Sequence, residues 1–161
     1  MNDNLDPLFK PRAVALIGAS QKELSIGNVI IKNLLHYNYR GPIYPINPKV
    51  EEIRGLKAYP SVMDVPGEVD LAHIVIPPPF VPDEVENCGK KGIRAIIINT
   101  AGFKEMGAAG QALEDDFLAR ARKYGIRIIG PKRFHGMSVR VKIWVRKGIP
   151  KKIAAITAPS R

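Results

Sequence analysis

Residues 12–20 read Arg12-Ala13-Val14-Ala15-Leu16-Ile17-Gly18-Ala19-Ser20, and this stretch decides the fold. Its apolar run shows no alternation with polar residues, so it describes a strand covered on both faces rather than a strand of a surface sheet. Gly18 ends the run. Ser25 then supplies an N-cap for a helix reaching about residue 37, with Ile26, Ile30, Leu34 and Tyr37 spaced by three and four along one stripe. A buried strand, a small-residue turn and an amphipathic helix make the first half of a βαβ unit.

Outward from that unit the same grammar recurs. Ile43-Tyr44-Pro45-Ile46-Asn47 predicts a second short strand, although Pro45, lacking the N–H a ladder uses, counts against it. Residues 71–76 predict a third strand, stopped by Pro77-Pro78-Pro79. A helix over 82–91 follows, with Val85 and Cys88 inward and Gly92 as its stop. Residues 95–99 predict a fourth strand. A helix over 108–124 carries Leu113, Phe117, Ala121 and Tyr124 on one stripe, and 127–130 predict a fifth strand. Residues 50–65 are less regular and predict at most a short helix around 50–54. Short apolar strands alternating with amphipathic helices imply a parallel sheet. The expected fold class is α/β: a Rossmann-like, doubly wound, mostly parallel sheet of about five strands, with right-handed crossovers.

The charge is unevenly placed. The chain has 161 residues and a formal net charge of +10. Sixteen of the 25 Lys and Arg and all 15 acids fall in residues 1–131, which are therefore nearly neutral; residues 132–161 hold nine cations and no acid. The expected division is a folded domain over 1–131 and a basic tail over 132–161. Because the excess sits in the tail, the high pI argues only weakly for nucleic acid as a partner. A hydrophobic content of 45% with 25% charged residues suits a globular domain large enough to bury a core. No apolar run approaches the roughly 18–20 residues that span a bilayer, and Met1-Asn2-Asp3-Asn4-Leu5-Asp6-Pro7 is unlike a signal peptide. A single cysteine, Cys88, suits the reducing cytoplasm, the expected location. His36, His73 and His135 are scattered, so no metal site is expected.

Ligands of open parallel sheets bind outside the carboxyl ends of the strands. Four loops are nominated on that ground: 18–25, 47–49, 77–80 and 99–102. In the first, Gly18 and Ala19 allow close backbone approach and Ser20 offers a hydroxyl before a helix N-terminus, an arrangement suited to phosphate, with a plain tight turn as the alternative. The dinucleotide fingerprint Gly-x-Gly-x-x-Gly is absent, since the next glycine is Gly27. The second loop, Asn47-Pro48-Lys49, has a cation where NAD-binding domains place an acid for the ribose hydroxyls. A phosphorylated ribose fits that exchange: NADP with its 2′-phosphate, or coenzyme A with its 3′-phosphate.

Several motifs then match a known family in order. Phe9-x-Pro11 leading into Val14-Ala15-Leu16-Ile17-Gly18-Ala19-Ser20, then Gly41-x-Ile43-Tyr44-Pro45-Ile46-Asn47-Pro48, resembles the CoA-binding domain of NDP-forming acyl-CoA synthetases. Asp70-Leu71-Ala72 entering Ile74-Val75-Ile76-Pro77, and Ala101-Gly102-Phe103-Lys104-Glu105, are similar to the same family, which includes ADP-forming acetate–CoA ligases. Pro77-Pro78-Pro79-Phe80 looks like the corresponding loop of the succinyl-CoA synthetase alpha subunit. The resemblance spans residues 8–131. It implies that Gly18, Ala19, Ser20, Gln21 and Lys22 lie along the CoA phosphates, that Lys49, beside Asn47, meets the 3′-phosphate, that Pro77 and its successors wall the adenine and pantetheine path, and that Asn99, Thr100, Ala101 and Gly102 lie near the pantetheine arm. Family members form acyl-CoA from acid, CoA and a nucleoside triphosphate through an acyl phosphate and a phosphorylated histidine.

The resemblance stops where the family's Gly-Pro-Asn-Cys is replaced by Gly130-Pro131-Lys132-Arg133. In the family a flavodoxin-like domain bearing the catalytic histidine follows, and an ATP-grasp domain completes the enzyme. Thirty residues hold neither, so no catalytic residue is assigned and the chain is expected to be inactive alone. Its expected partners are CoA and either the remaining synthetase domains or an ATP-grasp beta subunit. Glu51-Glu52 and Glu114-Asp115-Asp116 read as solvated helix faces and Cys88 as core. In the tail, Val139, Val141, Ile143 and Val145 alternate with Arg140, Lys142, Trp144 and Arg146. That pattern describes a basic arm able to add an edge strand, or else a translation-frame artefact or remnant. The alternative function is an NADP-dependent oxidoreductase.

Overall fold

The structure is a computed structural model and describes residues 5–131; both readings of residues 132–161 lie outside the described residues. Five parallel strands form the central sheet: β1 (Val14–Ile17), β2 (Ile43–Ile46), β5 (Leu71–Ile74), β6 (Ala95–Ile98) and β7 (Arg127–Ile129). Their spatial order is β2-β1-β5-β6-β7. The chain runs from β1 outward to β2, then crosses to β5 on the other side of β1. The order therefore reverses between β1 and β5, the doubly wound arrangement expected, and the crevice above that reversal is where such sheets take ligands.

The buried run of residues 13–17 divides between two cores. Val14 and Leu16 face one apolar cluster, with Ile30, Ile31 and Leu34 of α2 (Ile26–His36); Ala15 and Ile17 face another, with Val85 and Cys88 of α3 (Val81–Lys91) and Phe117 and Ala121 of α4 (Ala108–Lys123). Helices thus cover both faces, which is why β1 has no polar position to show. A short helix, α1 (Asp6–Phe9), precedes β1. Pro45 lies in β2, the sheet edge, as its missing N–H requires.

Three local readings are corrected. Residues 50–54 form no helix; β3 (Glu52–Ile53) and β4 (Leu56–Lys57) make a two-residue antiparallel hairpin instead. The inner face of α2 is Gly27, Asn28, Ile30, Ile31 and Leu34, while Ile26 and Tyr37 are exposed. Glu114 is no solvated acid: it is 8% exposed and its Oε1 lies 2.8 Å from Lys104 Nζ. Among the described residues no helix is long and apolar enough to cross a membrane.

Candidate functional site

At the carboxyl end of β1 the chain turns directly into α2. Ser25 is the N-cap, its hydroxyl oxygen accepting from the Asn28 amide at 3.2 Å. Gly27 lies against the strand: a Cβ there would stand 2.5 Å from the carbonyl oxygen of Gly18. That contact performs the close helix–strand packing that the last glycine of a dinucleotide fingerprint performs, at a different spacing. The loop between is fastened from both ends. Asn28 is buried and its Nδ2 donates to the Ser20 carbonyl at 2.8 Å, and Ser20 Oγ accepts from the Lys22 amide at 3.1 Å.

Neighbouring loops are tied to this one. Asn47, at the end of β2, donates from Nδ2 to the Ala19 carbonyl at 2.7 Å and accepts from the Lys49 amide on Oδ1 at 2.8 Å. This Asx arrangement sets the turn that exposes Lys49. Gln21 donates from Nε2 to the Glu52 carbonyl at 2.9 Å, so its amide clasps the β3–β4 hairpin. Arg54, at the tip of that hairpin, donates from Nε to Asn28 Oδ1 at 2.7 Å. Among the described residues it has no acidic partner.

On the other side of the sheet reversal, Pro77 leads into a 3-10 turn, Pro78–Phe80, that enters α3. Thr100, after β6, is buried and donates from Oγ1 to the Ile76 carbonyl at 2.7 Å, which locks this loop to the next. Gly102 has φ +107°, and a Cβ there would meet Pro78 Cγ at 2.8 Å. Its amide donates to Glu105 Oε1 at 2.6 Å. Asn99 is half-buried and Ala101 exposed. Large apolar side chains project at this end of the sheet, among them Leu24 at 95% and Phe80 at 61% exposure.

All twelve residues nominated from the sequence therefore lie on the four loops at the carboxyl ends of β1, β2, β5 and β6. Their side chains play different parts. Lys22 and Lys49 are exposed cations, Asn47, Gln21 and Thr100 spend their polar groups on other loops, and Gly18, Ala19 and Gly102 contribute close-packed backbone. Sequence reasoning missed Asn28 and Arg54. The only available signal for Asn28 was a polar residue on the inner face of an amphipathic helix.

Two buried titratable groups lie away from this end. Burial pushes His73 of β5 down to about 4, and neither ring nitrogen has a partner among the described residues. Burial, with a contribution from the Glu84 charge, pushes the Cys88 thiol well above its ordinary range. Neither is poised as a nucleophile. A cavity of about 530 Å³ opens at the amino ends of the strands, lined by Lys10, Arg12, Glu68, Asp70, Lys91 and Arg94. Arg12 there is paired with Asp70 at 3.0 Å and Glu68 at 3.3 Å. The convergent loops, rather than this cavity, carry the features of a ligand site.

Residues 12–133 match the family model described as CoA binding domain. The chain is 48% identical over 135 residues to the acetate–CoA ligase [ADP-forming] I subunit alpha of Pyrococcus furiosus, covering 81% of this chain and 29% of that one. It is 47% identical to the acetate–CoA ligase [ADP-forming] of Methanocaldococcus jannaschii, covering 83% of this chain and 18% of that one. Among solved structures, the dinucleotide-forming acetyl-coenzyme A synthetase 1 of Ca. Korarchaeum cryptofilum, in complex with phosphate and ADP, is similar with a TM-score of 0.76 and 46% identity. The match covers 81% of this chain and 28% of that one. The chain thus spans less than a third of the length of each of these three relatives.

Proposed function

Because the chain belongs to the CoA-binding domain family, we propose that it binds coenzyme A across the carboxyl ends of β1, β2, β5 and β6, as the CoA-binding part of an NDP-forming acyl-CoA synthetase. The observation that carries the placement is the hydrogen-bonded convergence of the four loops at the sheet reversal, with exposed Lys22 and Lys49 and no acid at the end of β2. Gly18, Ala19, Ser20 and Lys22 lie along the phosphates; Gln21 acts there by holding the hairpin rather than by touching ligand. Lys49, presented by Asn47, meets the 3′-phosphate. Pro77 and the turn after it wall the adenine and pantetheine path, and Asn99, Thr100, Ala101 and Gly102 flank the pantetheine arm. The whole enzyme converts acid, CoA and nucleoside triphosphate to acyl-CoA, nucleoside diphosphate and phosphate. The phosphorylated histidine and the nucleotide site come from the remaining synthetase domains or a beta subunit, and this chain alone binds without turnover. The domain boundary at residue 131 and a cytoplasmic location belong to the same reading.

Isothermal titration of the purified chain with CoA, dephospho-CoA and NADPH tests this. The expected result is saturable binding of CoA, no response to NADPH, and weaker binding of dephospho-CoA. Lys49→Ala removes one charge-assisted contact at an exposed site, so CoA affinity falls about tenfold and the preference over dephospho-CoA disappears. NADPH binding tighter than CoA would overturn the function. An unchanged preference in Lys49→Ala would remove Lys49 from the site.

A further inference from the structure

The β3–β4 hairpin turns through Arg54 and Gly55, with φ of +53° and +77°, while Ile53 and Leu56 pair on either side. A two-residue turn with both central residues left-handed favours Asn-Gly or Asp-Gly, because a side chain with a full stem is strained at the first position. Arginine there persists only where its side chain is held by something else. Here Nε donates to Asn28 Oδ1 at 2.7 Å, and the same buried amide holds the Ser20 carbonyl at 2.8 Å. Gln21 makes a second bond from that loop to the hairpin, at the Glu52 carbonyl. The hairpin is therefore docked at two points, on the β1–α2 loop through Gln21 and on the first turn of α2 through the Arg54 guanidinium.

Nε accounts for one of five guanidinium N–H groups. The other four, on the two terminal nitrogens, have neither an acid nor another hydrogen-bond partner among the described residues. Such a fork matches the paired oxygens of a phosphate. We propose that Arg54 is a further cation of the ligand site, joining Lys22 at the pyrophosphate of bound coenzyme A beside the Gly18–Ala19–Ser20 turn, whereas Lys49 serves the 3′-phosphate. The inference rests on the CoA reading above and divides the ligand's charge among the β1–α2 loop, the β2 loop and the hairpin. It also assigns the hairpin a function: it carries a guanidinium to the helix end where the pyrophosphate would lie.

Arg54 and Lys49 are distinguished by ligand, since dephospho-CoA keeps the pyrophosphate and lacks the 3′-phosphate. Arg54→Asn removes the guanidinium and installs the residue this turn favours; Arg54→Gln is the companion variant of closer length. Both are titrated with CoA and dephospho-CoA in the full chain, with apo thermal melts alongside. The expected result is a loss of about tenfold for both ligands by the same factor, with Arg54→Asn melting no lower than the parent. Unchanged affinity for both ligands in either folded variant would overturn the proposal and leave Arg54 as an anchor of the turn. A loss confined to CoA would overturn it too, assigning Arg54 to the 3′-phosphate. If the parent chain bound neither ligand, the CoA reading itself would fall, a result separate from both.

Discussion

Between pH 7.5 and 5, acid should destabilise this domain chiefly through His73; the carboxylates held low, Asp70 and Glu86, add their losses at lower pH. It sits in the central strand β5, paired in register with Leu16 of β1 and Ile97 of β6, and is 1% exposed. Burial lowers its pKa from 6.5 to about 4. The folded chain therefore holds the ring neutral where the unfolded chain has already bound a proton, and stability rises with pH across that window. The contribution is full above about pH 6.5 and is lost progressively as pH falls toward 4. Over the whole window the shift corresponds to about 3 kcal/mol; by pH 5 about 2 kcal/mol is already gone. His73→Leu removes the titrating group at similar volume and leaves no unpaired ring nitrogen, so it should equal or exceed the parent in stability at pH 7.5. Urea denaturation of both chains at pH 7.5, 6 and 5 reads the difference. The parent should lose about 2 kcal/mol more than the variant between the first and last values. Parallel losses in the two chains would refute the assignment of the acid sensitivity to His73.

Gly27→Ala places a Cβ 2.5 Å from the Gly18 carbonyl oxygen, a backbone atom that cannot rotate away. It should cost about 1–3 kcal/mol in a thermal melt and weaken CoA binding in titration, because α2 and the loop it fastens move together. Cys88 is fully buried with its thiol pushed up, so maleimide labelling of the native chain should be slow and should become fast in denaturant. Rapid native labelling would contradict its place in the core.

Local sequence carried much of the architecture because each large element is written in consecutive residues. The five sheet strands, the N-cap at Ser25 and the glycine ending α3 follow from run length, periodicity and backbone preference. The hairpin at residues 52–57 was missed for a physical reason. Two-residue strands are too short to show alternation, and Arg54-Gly55 lacks the Asn or Asp that marks such turns. Glu114 was misread because its partner, Lys104, comes from a turn ten residues earlier, outside the three- and four-residue spacings of helix pairing. Gly27 stands nine residues after Gly18, outside any fingerprint spacing, so its role against Gly18 is set by the fold and not by a motif.

By itself the sequence determined the fold class and the four loops at the carboxyl ends of the strands, and the acid missing after β2 is the ground on which a phosphorylated ribose is proposed. Those properties depend on residue type and order along one segment. The tertiary structure alone decided which side chains at these loops stay open to solvent and which hold the loops together. Asn47, Gln21 and Thr100 are spent on carbonyls of other loops, while Arg54 reaches Asn28 across a separation of 26 residues. Hydrogen-bonding capacity is finite and is claimed by whatever folding brings within about 3 Å, so a polar residue's part in the site is assigned by contacts distant in the chain.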